Sequence, residues 1–178
     1  MISPPAEQTV AKVIQMPKAR SEAPLWATLA STFFYVGRAK PGPGTWAAAI
    51  AMLAWMGIGS ILGSAWQTPT LICAAVAVTA LGVVAGTRYS RATAKKDPCE
   101  VVLDEVAGQL IALMAVPIAW KSMLAGLILF RVFDIAKPFP LRRLERFPEG
   151  FGIMADDVGA GLYALAVMQV LLHYGLLT

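Results

Sequence analysis

Two adjacent acid pairs, Asp104-Glu105 and Asp156-Asp157, and a fifth acid, Asp134, stand out in a chain otherwise poor in charge. Asp134 lies in the stretch LFRVFDIAKPFP, residues 129–140, where Arg131 and Lys137 flank it at spacings of three. Carboxylates gathered in such numbers repel one another unless a divalent cation relieves them. An all-oxygen ligand set favours Mg²⁺ over zinc. Cations nearby are then free to hold an anionic ligand, and metal, bound phosphate and an attacking water together make phosphoryl chemistry.

Each group also has a plainer reading. Asp156 or Asp157 could simply cap the helix that follows. Arg131 and Asp134, three residues apart, could be a structural ion pair. Asp104 and Glu105 could be solvated acids at a helix end. The loop AKPGPGT, residues 39–45, could be no more than a proline-stiffened turn. It is not a Walker A loop, because Pro43 stands where that loop needs Lys. Lys40 and the Thr45 hydroxyl nonetheless precede or open an apolar helix, and the positive end of a helix dipole suits phosphate.

Other phosphatase routes lack their residues. Six positions after Cys99 stands Glu105, not the Arg of a phosphocysteine loop. Asp134 has Ala136 two residues on, so no DxDxT nucleophile is present. His173 is the one histidine, and it falls near the end of the last apolar run. Cys73 and Cys99 form no CxxC pair, and Cys73 reads as a small core hydrophobe. Attack by water or a carboxylate with metal assistance remains.

What must position these groups is a set of membrane helices. Of 178 residues, 57% are hydrophobic and 15% charged, with mean hydropathy +0.63. A typical globular domain is about 25% charged, so lipid is the expected solvent. A net charge of +4 is a weak case for nucleic acid, and no nucleic-acid partner is expected. Residues 1–23 read as a flexible cytoplasmic tail and 24–178 as one membrane-embedded domain. Crossing a bilayer takes about 20 apolar residues. Candidate spans are 45–66, 70–87, 101–120, the shorter 122–136, and a last one from Asp156 or Asp157 to about 177, with a turn at Gln67-Thr68-Pro69. Residues 25–36 are too short to cross and read as an interfacial or re-entrant helix. The expected fold is therefore an all-α, polytopic bundle of about four to five transmembrane helices.

Placing the N-terminus in the cytoplasm puts the loops carrying Arg88, Arg91, Lys95 and Lys96, and Lys137, Arg142, Arg143 and Arg146, on that same side. Of 15 Lys and Arg residues only Lys121 lands opposite, as the positive-inside rule requires. The same topology brings the five acids, from three different helices, to the cytoplasmic face. Trp46, Trp55, Trp66 and Trp120 read as belt or packing residues. Gly159 and Gly161, with Ala160 and Ala164, suit close helix contact.

Four segments in order carry a family resemblance: PGT (43–45), DPCEVVLDEVAGQLIAL (97–113), FRVFDIAKPFPL (130–141) and GIMADDVGAGLYA (152–164). Together they resemble the motif series of phosphatidylglycerophosphatase A, from about residue 25 onward. Trp46 and the alanines after it depart from the Gly and Ser usual behind PGT, and Gly42 replaces the usual Ala or Val. The resemblance implies a Mg²⁺-dependent lipid phosphatase of the bacterial inner membrane, converting phosphatidylglycerophosphate to phosphatidylglycerol at the cytoplasmic face. It places Asp104, Glu105, Asp134, Asp156 and Asp157 at the catalytic centre. Within that set Asp104, Asp156, Asp157 and Glu105 would form the metal site, with Glu105 as the general base that orients water. Asp134 would add a ligand or hold Lys137, and Lys40, Thr45, Arg131 and Lys137 would contact phosphate. Two other readings are a phosphotransferase of the CDP-alcohol type, whose DGxxAR segment is missing, and an ion-conducting protein, whose acids should be spread through the membrane's depth.

Overall fold

The computed structural model describes residues 22–144 and 147–177. The expected tail, with Lys12, Lys18 and Arg20, lies almost wholly outside the described residues, as does Arg146. Every regular element among the described residues is helical. In chain order these are α1 (Leu25–Ser31), a 3₁₀ turn (Val36–Arg38), α2 (Pro43–Ile61), α3 (Ser64–Thr93), α4 (Leu103–Ala112), α5 (Trp120–Ala136), α6 (Leu141–Leu144) and α7 (Glu149–His173). Three of them, α2, α3 and α7, are long and apolar enough to cross a membrane. Their outward faces show Ile50, Ile58, Ile72, Val76, Leu162 and Val170 exposed. Apolar surface of that extent is not carried by soluble monomers, and it fits acyl chains.

The centre of the bundle is its short helix. All residues of α4 except Glu105 are buried, and α4 packs against α2, α3, α5 and α7. A helix apolar on every side belongs inside a protein. Met52 and Trp55 of α2, Leu71 of α3, Met123 of α5 and Met168 of α7 close around Val106, Leu110 and Leu113. The contact with α7 is made backbone to backbone. A Cβ on Gly161 would lie 2.5 Å from the Gly108 carbonyl oxygen, and one on Gly108 would lie 2.6 Å from the Asp157 carbonyl oxygen. Only glycine allows this approach.

Several boundaries differ from those expected. The break between the first two spans falls at Leu62-Gly63, not at residues 67–69. Gln67 folds back inside α3, its amide donating to the Gly59 and Leu62 carbonyls at 3.0 and 3.4 Å. It therefore satisfies the open carbonyl end of α2 instead of making a turn. The expected third span stops at Ala112. Ten residues make about 15 Å of helix, half a bilayer. Residues 113–119 continue as tight turns, with Ala115 in the left-handed region and Pro117 disfavouring helix at Val116. The last helix starts at Glu149, seven residues before Asp156, so neither aspartate caps it. Residues 25–36 are helical only to Ser31, and the chain then turns through Phe33, Phe34 and Tyr35, all at positive φ. Cys73, expected in the core, is exposed on the outside of α3, while Trp55 is buried and Trp46, Trp66 and Trp120 are exposed.

One end of the bundle gathers the start of α2, the start of α4 and the end of α5. The other gathers the end of α2, the 113–119 turns, the start of α5 and the end of α7, where Ser122 donates to the Leu177 carbonyl at 2.9 Å. Gly161→Ala is expected to lower the stability of the detergent-solubilised chain by about 1–3 kcal/mol through overpacking. Gly57→Ala, where a Cβ meets nothing within 4 Å, should be neutral or stabilising by up to about 1 kcal/mol. Thermal melts of the two variants side by side check this.

Candidate active site

Asp104 and Glu105 form the first turn of α4, where the carboxylates meet the positive end of the helix. Asp156 and Asp157 enter from α7, about two turns in from its start, and Asp134 from the last turn of α5. Asp104, Asp134, Asp156 and Asp157 are all buried. Asp104, Glu105 and Asp157 each present a carboxylate oxygen within 4.8 Å of the other two. The Gly108–Gly161 contact one turn below is what draws α4 and α7 close enough for this.

Two cations are built into the same end. Arg131 Nη1 is 2.6 Å from Asp134 Oδ2 and 3.7 Å from Glu105 Oε1. Lys137 Nζ donates to Asp156 Oδ2 at 2.6 Å. The pairings thus put Asp134 with Arg131 and Lys137 with Asp156. The group of three that converges does not include Asp156, which sequence reasoning set among the metal ligands. Five carboxylates against two cations leaves an excess of negative charge in a buried place. Asp104 Oδ1 and Glu105 Oε2 are buried with no hydrogen-bond partner among the described residues. Unpartnered buried carboxylate oxygens, all hard donors, in a group of three, fit a hard divalent cation such as Mg²⁺.

The PGT segment sits directly against this cluster. A Cβ on Gly44 would overlap the Glu105 carboxylate, lying 2.6 Å from its Cδ, and would come within 3.1 Å of Arg131 Nη1. Gly44 is thus a site residue that charge and acid patterns passed over, and its glycine beside Thr45 was the available signal. Thr45, in the first turn of α2, shares a groove with Arg131. Lys40 is exposed just before α2. Gln109, one turn below Glu105 on α4, was also passed over. It is fully buried and its amide has no partner among the described residues. A cavity of about 580 Å³ lies elsewhere, between Tyr35, Arg38, Tyr89 and Lys95, and none of the five clustered acids lines it.

The family model for phosphatidylglycerophosphatase A matches residues 29–172, which take in every residue of the cluster. The chain belongs to the phosphatidylglycerophosphatase A family. It is accordingly a membrane-associated phosphatase. A phosphatidylglycerophosphatase A of Haemophilus influenzae is 36% identical over 143 residues, 79% of this chain and 85% of its own. Another, from Escherichia coli, is 35% identical over 115 residues, 61% of this chain and 63% of its own. A Bacteroides thetaiotaomicron protein named "Putative phosphatidylinositol-3-phosphatase" is 36% identical over 148 residues, 80% of this chain and 91% of its own. No solved structure matches the chain.

As a member of this family the chain should be sensitive to the fit of its PGT turn. Gly44→Ala is expected to displace Glu105 and Arg131 and to cut kcat/KM for phosphate release about a hundredfold, the cost of an ångström-scale misplacement. Its melting temperature should stay near that of the parent, because the displaced groups are side chains at the rim. Steady-state kinetics with a parallel melt tests both halves.

Proposed function

We propose that the chain hydrolyses the terminal phosphate of phosphatidylglycerophosphate to give phosphatidylglycerol, with Mg²⁺, at the cytoplasmic face of a bacterial inner membrane. The observation that carries this reading is the meeting of Asp104, Glu105 and Asp157 oxygens within 4.8 Å beside the Arg131 guanidinium. Asp104 and Asp157 would hold the ion. When bound, Mg²⁺ neutralises phosphoryl charge and lowers the pKa of a water nearby.

The chain's own groups account for the rest. Arg131, with a buried Nε that has no hydrogen-bond partner among the described residues, offers donors to a phosphoryl oxygen. Thr45, in the first turn of α2, lies beside Arg131, and the amino end of a helix suits phosphate. Glu105 keeps one oxygen toward Arg131 and leaves Oε2 unpartnered, placed to accept a proton from the attacking water. The new P–O bond forms as the bond to the glycerol oxygen breaks. The proton taken by Glu105 passes to that departing oxygen, and the carboxylate is regenerated. Lys137, held by Asp156 at 2.6 Å, adds positive charge at the rim for the phosphate diester that also belongs to the substrate.

The cytoplasmic assignment rests on charge. Arg38, Arg88, Arg91, Lys95, Lys96, Arg142 and Arg143 all belong to segments at the acid end of the bundle, and Lys121 stands alone at the start of α5. That asymmetry is the one the positive-inside rule associates with the cytoplasm. Residues 1–23 are proposed to be a tail on the same side. The acids gather at one end instead of lining a path through the bilayer, which favours a phosphatase over an ion conductor.

Phosphate release should be measured from phosphatidylglycerophosphate, phosphatidylinositol 3-phosphate and phosphatidic acid in mixed micelles. Release from the first is expected to be fastest, to stop in EDTA and to return with added Mg²⁺. Glu105→Gln should slow it roughly 10²–10⁴-fold, the usual worth of a general base. Undiminished turnover in EDTA, or in Asp104→Asn, would remove the metal centre. Faster release from the inositol lipid would reassign the substrate along the line of the Bacteroides relative's name.

A further inference from the structure

The first turn of α4 carries two of the acids, yet α4 does not fix its own start. Its cap position, Val102, makes no side-chain capping hydrogen bond, so the usual means of pinning a helix start is missing. The Val102 N–H instead donates at 2.9 Å to the carbonyl of Ser31, the last residue of α1. Val101, Val102 and Leu103 are all buried. The lead-in to Asp104 thus rests on α1 and the turn that follows it.

That turn is strained. Phe33, Phe34 and Tyr35 have φ of 45°, 54° and 68°. This is a left-handed conformation that residues other than glycine seldom adopt, least of all three in succession. Such strain persists only where its surroundings hold it, and it gathers at functional sites. Thr32 is the holder here. It is fully buried, and its hydroxyl donates to the Thr28 carbonyl at 2.7 Å and accepts from the Tyr35 N–H at 3.0 Å. The Thr32 carbonyl accepts from the Gly37 N–H at 2.9 Å and closes the turn. The outcome is Gly37 pressed against the main chain of Glu100. A Cβ on Gly37 would overlap the Glu100 carbonyl oxygen and lie 2.8 Å from its carbon. Only glycine allows so close an approach of two backbones.

Seven residues later the same stretch meets α4 again, where Gly44 lies against the Glu105 carboxylate. The two contacts, at Glu100 and at Glu105, bracket Asp104 in the chain. We propose that residues 31–44 clamp the start of α4, with Gly37 as a positioning residue that sets Asp104 and Glu105 for a divalent cation. Gly37 offers no ligand atom and acts through the backbone at Glu100. This rests on the reading of Asp104, Glu105 and Asp157 as a metal centre, and it adds what keeps the α4 pair in place opposite Asp157.

The test titrates Mg²⁺ by calorimetry into the full chain in neutral detergent, without lipid, so that binding is read apart from turnover. Gly37→Ala should weaken binding about tenfold, as loss of an outer support does at metal sites. Excess Mg²⁺ should then restore kcat for phosphate release toward the parental value, because every ligand is still present. Thr32→Val removes the hydroxyl without adding bulk. It should weaken binding in the same direction, and it decides the matter if Gly37→Ala fails to fold. Gly59→Ala is the control for overpacking, since a Cβ there would lie 2.5 Å from Ile118 Cδ1 at the opposite end of the bundle. It should lower the melting temperature and leave Mg²⁺ affinity unchanged. Parental affinity in either folded clamp variant overturns the proposal, and so does an equal loss in Gly59→Ala. Absence of Mg²⁺ binding to the unaltered chain would overturn the metal centre itself, a result distinct from any the variants can give.

Discussion

A backbone-to-backbone approach, between Gly108 of α4 and Gly161 of α7, governs the arrangement of the acid cluster. At that point the two helix backbones meet directly: a Cβ on Gly161 would collide with the Gly108 main chain, and one on Gly108 with the Asp157 carbonyl and the Phe130 ring. One turn toward the acid end, the same two helices present Asp104, Glu105 and Asp157. With a larger residue at the crossing, the three carboxylates could not share a centre. In lipid there is no hydrophobic force pressing helices together, so contacts between small residues must do what apolar burial does in water. The meeting of the acids and the association of the helices here depend on the same contact.

Bringing acids together at membrane depth is unfavourable, and the bundle offsets it in stages. Arg131 balances Asp134 and leans toward Glu105, and Lys137 balances Asp156. Asp104 and Asp157 have no cation assigned to them by these pairs. The arrangement is thus unbalanced at the place where a divalent ion would sit, and balanced around it. A buried carboxylate left without partner or ion is among the more costly features a membrane protein can carry. Asp104 Oδ1 and Glu105 Oε2 are the buried, unpartnered oxygens that such an ion would relieve.

Much of this was legible in the chain, and the reasons are physical. Long charge-free runs mark α2, α3 and α7 because lipid tolerates nothing else there, and the bias of Lys and Arg orders the ends. Together these put acids from three helices on one face before any coordinates. Helix interiors were harder to read. Residues 113–119 interrupt a helix, yet they are apolar because they turn inside protein, where no polar signal is needed. Gln67 looked like a turn because it is polar, when its amide in fact closes the end of the preceding helix. Residues 149–155 fall before the expected start of the last span, yet Gly150 lets α7 press on α3, where its amide donates to Thr87 Oγ1 at 3.1 Å. The pairing of Lys137 with Asp156, and the contact of Gly44 with Glu105, depend on how far each helix is rotated, which a linear pattern does not encode.

The abrupt end of α4 has a bearing on permeability. Below its carboxylates the bundle continues through Val106, Leu110, Ile111 and Leu113 to a knot of apolar turns, and the next charged side chain on that route is Lys121. Apart from the Gln109 amide, the part of α4 below its carboxylates is apolar. A cation held there, as proposed, would find no charged side chain of α4 to hand it on toward the other end, so the centre need not short-circuit the ion gradients of a membrane that houses it.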